Sequence, residues 1–145
     1  MTYLNLVYNK SSYLFLFLTL SFFWIGCNNK KTTTPIYDSD EFKFIDNEII
    51  NSGESVWARA CFRCHMYGTN GAVSLENNKY WDNSSSKGID KLFDNVWNGI
   101  QTENSMMPPK GFCNTCTEHE IKNSILYLFH LSQQIQNQEK LKKDE

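Results

Sequence analysis

Cys61-Phe62-Arg63-Cys64-His65 constrains this chain more than any other stretch. Two thiols three positions apart, followed at once by an imidazole, match the pattern by which a c-type haem is attached. Each thiol can add across one vinyl group of the macrocycle, and the two-residue gap lets both sulfurs reach neighbouring edges. The next side chain, His65, then falls beneath the iron, where imidazole is the usual proximal ligand. A chain carrying such a plate has to close an apolar cleft around it, so the motif sets architecture as well as chemistry. Without a haem, the same residues would be half of a zinc site or a thiol–disulfide redox pair.

A second ligand is on offer in Ser105-Met106-Met107-Pro108-Pro109-Lys110-Gly111. A thioether sulfur is soft, suits low-spin haem iron and raises its reduction potential. The two prolines stiffen the backbone, so the preceding sulfur is presented with little entropy left to lose. Met107 is the expected sixth ligand and Met106 its rival, with core filling the ordinary use of either. Of the three histidines, His119 and His130 are surface or packing residues unless the haem is bis-histidine. Trp81 stands in a stretch, 66–87, that is rich in Gly, Asn and Ser and reads as loop. Its indole N–H needs an acceptor if buried: a haem propionate is one candidate, and simple packing of the ring is the alternative.

Helical periodicity frames these motifs. Ile49, Ile50, Val56, Trp57 and Ala60 recur at helical spacing over 46–61. Gly53 interrupts them at a cost of about 1 kcal/mol relative to alanine, which suits a close crossing by another helix. Ile89, Leu92, Phe93 and Val96 form the stripe of a short helix that stops at Asn98-Gly99. Thr117 and Glu120 fit a capping box at the head of a helix running to about Gln133 through Ile121, Ile125, Leu128 and Phe129. Residues 134–145 are polar and are expected to fray.

Cys113 and Cys116 form a second pair. With Cys61 and Cys64 they would make a four-cysteine zinc site, but the pairs lie far apart where compact zinc motifs use roughly 15–20 residues. An exported chain also favours a disulfide over metal-bound thiolates. Export is indicated by the apolar run over 13–25, preceded by Lys10. It is shorter than the roughly 20 residues of a membrane-spanning helix and has the character of a secretory signal. Gly26-Cys27 at its end resembles a bacterial lipoprotein signal, with Trp24 where that pattern usually holds leucine. Residues 1–27 are therefore expected to be a signal peptide ending at a lipidated Cys27. An ordinary cleavage site or an uncleaved anchor are the alternatives. Residues 28–44 are expected to be a flexible tether, 45–133 the haem domain and 134–145 a tail. A net charge of -2 and a pI near 5.9 argue against a nucleic-acid partner.

Taken together, Gly53, Trp57, Cys61/Cys64/His65, Trp81, Gly99, Met107-Pro108-Pro109-Lys110-Gly111, Cys113/Cys116 and Tyr127 resemble the small class I cytochromes c, cytochrome c5 subgroup. The resemblance covers roughly 53–131 and implies an all-α fold of three to four helices around one covalent haem c. It implies thioether bonds at Cys61 and Cys64, axial His65 and Met107, and a Cys113–Cys116 disulfide. The family commonly has a proline whose carbonyl accepts a hydrogen bond from the proximal histidine; the matching place here is Val73. The implied function is electron transfer, not catalysis, on the periplasmic side of a bacterial membrane. Redox proteins are the implied partners, with a membrane donor complex and a terminal oxidase or reductase as the expected pair. The rival readings are a haem sensor or peroxidase-like enzyme with a labile sixth ligand, and a zinc or thiol-redox module without haem.

Overall fold

The computed structural model of the protein describes residues 33–143, so the apolar leader and Cys27 lie outside the described residues. Its first part corrects the expected tether. A 3-10 turn at Ile36–Asp38 leads into the single turn α1 (Asp40–Lys43), capped by Ser39, whose hydroxyl accepts the Phe42 N–H. Ile36 is 0% exposed and Phe42 is buried with it. The Tyr37 N–H donates to Ser85 Oγ at 3.2 Å, and its ring meets Phe42 and Phe129 edge-on. Residues 33–44 are thus a strap belonging to the domain. Two or three well-placed apolar side chains suffice to dock a segment too short to show any period.

Asp46 opens the first long helix, α2 (Asn47–Val56), by accepting the Ile49 N–H at 2.9 Å. The helix runs on through a π-turn at Trp57–Cys61 into α3 (Phe62–His65), so the haem motif ends a continuous rod. Asn77 then caps α4 (Asn78–Ser85), accepting the Tyr80 N–H. Helix α5 (Gly88–Asn98) follows, and α6 (Glu118–Lys143) closes the chain. Between them, β1 (Ile100–Gln101) and β2 (Met106–Met107) pair antiparallel, with Ile100 opposite Met107. The fold is mostly helical, as expected of a class I cytochrome c, and two of its elements differ from expectation. Helix α4 lies where loop was expected, and α6 continues through the residues taken for a frayed tail. In both cases apolar anchors are sparse but well seated: Trp81 is buried in α4, and Leu131 and Ile135 pack beside Trp57 and Tyr127 in α6.

Helices α2 and α6 cross at Gly53. A Cβ there would run into the Asn123 carbonyl oxygen and lie 2.7 Å from Tyr127 Cβ, so only glycine permits the approach. Thr117 and Glu120 form the capping box at the start of α6. The Glu120 N–H donates to Thr117 Oγ1, and the Thr117 N–H donates to Glu120 Oε2 at 2.9 Å.

Candidate haem site

The rod through the π-turn delivers Cys61, Cys64 and His65 to one wall of a cleft of about 490 Å³, and the β2 strand brings Met107 to another. Val96, Ile100, Pro108 and Ile121 give the cleft apolar walls. A second, smaller pocket, reaching Trp81, Leu92 and Leu128, shares Cys61, His65 and Met107 with it. A volume of this order is ordinary for a cofactor site.

His65 is held on one side only. Its Nδ1 lies 2.9 Å from the Val73 carbonyl oxygen, which can only accept, so Nδ1 carries the proton and Nε2 keeps its lone pair. Burial pushes the imidazolium below its ordinary pKa, the Val73 bond opposing. The side chain is therefore a neutral imidazole near pH 7, the form that binds a metal. This ring–carbonyl bond is the orienting contact typical of metal-bound histidine.

Both methionines line the cleft with His65, but they differ in burial. Met106 is 61% exposed, whereas Met107 is half-buried and alone of the two also lines the second pocket with His65. Two features fix its strand. Pairing with Ile100 aligns it, and Gly99, at φ +79°, leaves room for the chain to fold back. A Cβ there would lie 2.6 Å from the Met107 carbonyl oxygen and 2.9 Å from the Pro109 nitrogen. Beyond Met107, Lys110 and Gly111 turn left-handed, and the Lys110 ammonium sits 3.6 Å over the Trp97 ring while donating to the Cys116 carbonyl oxygen. Cys113 and Cys116 are joined, with Cα atoms 5.4 Å apart. The helix stop at Gly99 and the place of Lys110 in the Met-Pro-Pro segment are legible in the sequence, but the tight approach of Gly99 to Met107 and the contacts of Lys110 are not. The positive φ of Lys110 has no sequence signal.

Trp81 lines the second pocket, and of the two readings offered for it, propionate donor or packed ring, the structure favours the packed ring. Its indole N–H is taken by the Ser74 carbonyl oxygen at 2.8 Å, and its ring stands edge-on to His65 at 5.8 Å. His119 and His130 lie on α6 beside Asn123 and Gln134 and line neither pocket. The four-cysteine zinc arrangement is not assembled, because Cys113 and Cys116 are bonded to each other. Burial pushes the Cys61 thiol up to about 11, opposite in direction to the lowered pKa that reactive redox thiols have. No helix among the described residues is long and apolar enough to cross a membrane.

A helical shell closed on a cleft with thiol, imidazole and thioether donors fits haem c, and defines a small haem protein. Residues 48–128, more than half of the chain, match the family described as cytochrome c oxidase, cbb3-type, subunit III. Cytochrome c5 of Azotobacter vinelandii is 32% identical over 76 residues, which cover 51% of this chain and 87% of that protein. Cytochrome c5 of Ectopseudomonas mendocina is 29% identical over 76 residues, 51% of this chain and 83% of its own. Cytochrome c-555 of Chlorobaculum thiosulfatiphilum is 26% identical over 77 residues, 53% and 90% respectively. The chain belongs to this cytochrome c family, as a small class I cytochrome c of the c5-like kind: a monohaem electron carrier with covalent haem c, not an enzyme.

Proposed function

We propose that this cytochrome carries single electrons between redox proteins outside the cytoplasm through a haem held by Cys61 and Cys64 and ligated by His65 and Met107. The observation that carries the reading is the half-buried Met107, which lines the same two pockets as a His65 whose Nε2 keeps its lone pair. Bound there, haem c supplies an Fe(III)/Fe(II) couple. The chain's part is to hold both axial donors on stiff supports: His65 on a helix end and a carbonyl, Met107 on a paired strand backed by two prolines. Neutral His65 and uncharged Met107 add no charge of their own to the site. With both residues holding the iron, no position would be left for a substrate, so this ligand set favours electron transfer over the sensor or peroxidase-like reading.

The leader and Cys27 support export and a lipid anchor on the periplasmic face of a bacterial membrane. A membrane donor complex and a terminal oxidase or reductase are the partners that location favours. An oxidase on the acceptor side is in keeping with the description of the matching family.

The test is the visible spectrum of the holoprotein and of Met107→Ala. The parent is expected to show the sharp reduced bands of low-spin haem and, when oxidised, the weak methionine–ferric charge-transfer band. Met107→Ala should keep haem attached, lose that band and become high-spin. An unchanged ligand-field spectrum in the variant would remove Met107 from the site.

A further inference from the structure

We propose that Trp81 is a positioning residue for the His65 imidazole, acting through the peptide unit between Ser74 and Leu75. The proposal rests on the reading of His65 as an axial ligand. That peptide unit is gripped at both ends. Its oxygen accepts from Trp81 Nε1 at 2.8 Å, and its N–H donates to the His65 carbonyl oxygen at 2.8 Å. The carbonyl just before it, on Val73, accepts the proton of the His65 ring at 2.9 Å. Backbone and ring of His65 are therefore both tied to three consecutive residues, and a planar peptide transmits the position of the indole to them.

Trp81 is well placed to act as the fixed end. It is 6% exposed, stands edge-on to Tyr80 at 5.1 Å and to Phe129 at 5.9 Å, and sits on the capped helix α4. The loop is also held by Thr69, whose hydroxyl donates to the Arg63 carbonyl oxygen, and by the buried Leu75, but among these only the indole bond fixes the Ser74 oxygen from a neighbouring helix. Deleting the indole N–H leaves the Ser74 carbonyl with only its longer bond from the Asn77 N–H, at 3.2 Å, and frees the peptide plane to turn. The Val73 carbonyl is joined to that plane through the Ser74 Cα, so a looser Ser74 loosens the bond at Nδ1. A weaker bond at Nδ1 makes the imidazole a poorer donor to iron, which disfavours the ferric state.

The experiment uses the full-length holoprotein and Trp81→Phe, which keeps a ring and removes the N–H. The expected result is an upward shift of the midpoint potential, with altered ferric haem-methyl proton resonances, while haem stays attached and low-spin. Trp81→Tyr serves the same purpose if the phenylalanine variant fails to accumulate. Val56→Ala is the comparison: it truncates a wholly buried side chain of the same core that offers no hydrogen bond to residues 73–75, and should lower thermal stability with the potential unmoved. A potential and resonance pattern unchanged in the Trp81 variants overturns the proposal, and so does an equal shift in Val56→Ala. The underlying ligand reading is tested separately by His65→Ala. Retention of the parent low-spin spectrum there would sink the ligand assignment, whereas its loss alongside an unmoved Trp81→Phe potential would sink only the positioning role.

Discussion

Gly53→Ala is the sharpest test of how the two long helices are held. In a solvent-facing helix the change would stabilise by about 1 kcal/mol, because alanine loses less backbone freedom on folding than glycine. At Gly53 the new methyl has nowhere to go. It would overlap the Asn123 carbonyl oxygen and sit 2.7 Å from Tyr127 Cβ, where carbon atoms prefer about 3.5–4.0 Å. Neither obstacle is the far end of a flexible side chain, so α2 and α6 have to part by about 1 Å at their crossing. Forced overpacking of this kind costs roughly 1–3 kcal/mol, and a backbone obstacle places it at the upper end. Set against the gain in propensity, the net loss is about 2 kcal/mol, or a fall of roughly 10 °C in melting temperature for a domain of this size. Thermal unfolding of the ferric holoprotein, followed by far-ultraviolet circular dichroism, reads it directly. The exposed Ser55→Ala in the same helix supplies the comparison and should shift the midpoint little. A Gly53→Ala protein as stable as the parent would mean that the helices do not cross at this point.

Ile36→Ala tests the strap. A wholly buried isoleucine in a core costs about 2–5 kcal/mol to truncate, while the same change in a free tether costs almost nothing, and the urea midpoint of the holoprotein distinguishes the two. Glu120→Gln tests the charge in the capping box. The Thr117 backbone N–H, helped by the Thr117 hydroxyl, holds the Glu120 carboxyl below its ordinary pKa, so its contribution is full above the unfolded value near 4.5 and is lost as pH falls through the depressed folded value. The parent should therefore exceed the variant in stability at neutral pH and lose that margin on acidification. A difference that is constant from pH 7 to pH 3 would refute the assignment.

The parts of the molecule that could be read from the sequence are those in which a few residues at fixed spacing do the chemistry. The haem motif, the Met-Pro-Pro segment, the capping box and the crossing glycine each state their own geometry. The parts that could not be read depend on partners distant in sequence. Nothing in 33–44 has a period, and Ile36 is buried only because α4 and α6 leave a place for it. Helix α4 was hidden by its own composition, since Asn77, Ser84 and Ser85 argue for loop until Asn77 is seen capping and the serines are seen buried. Trp81 shows the limit most plainly. That a buried indole needs an acceptor follows from the residue alone, but which acceptor it finds depends on where the 73–75 segment comes to rest. The π-turn that places Cys61 has no signature in the sequence at all.

Gly71, at φ +76°, bears on the tip of the hairpin between β1 and β2, where a Cβ would lie 2.7 Å from Ser105 Cβ and 3.0 Å from the Asn104 carbonyl oxygen. The loop leaving the haem motif and the segment bearing Met107 therefore touch across the mouth of the cleft. This contact bears on how a haem could be enclosed. A rigid plate cannot slip past two segments already in contact, whereas a chain that had joined it at Cys61 and Cys64 could fold the hairpin down afterwards. On the proposed attachment, the hairpin would therefore close over the haem after the thioether bonds had formed, not before.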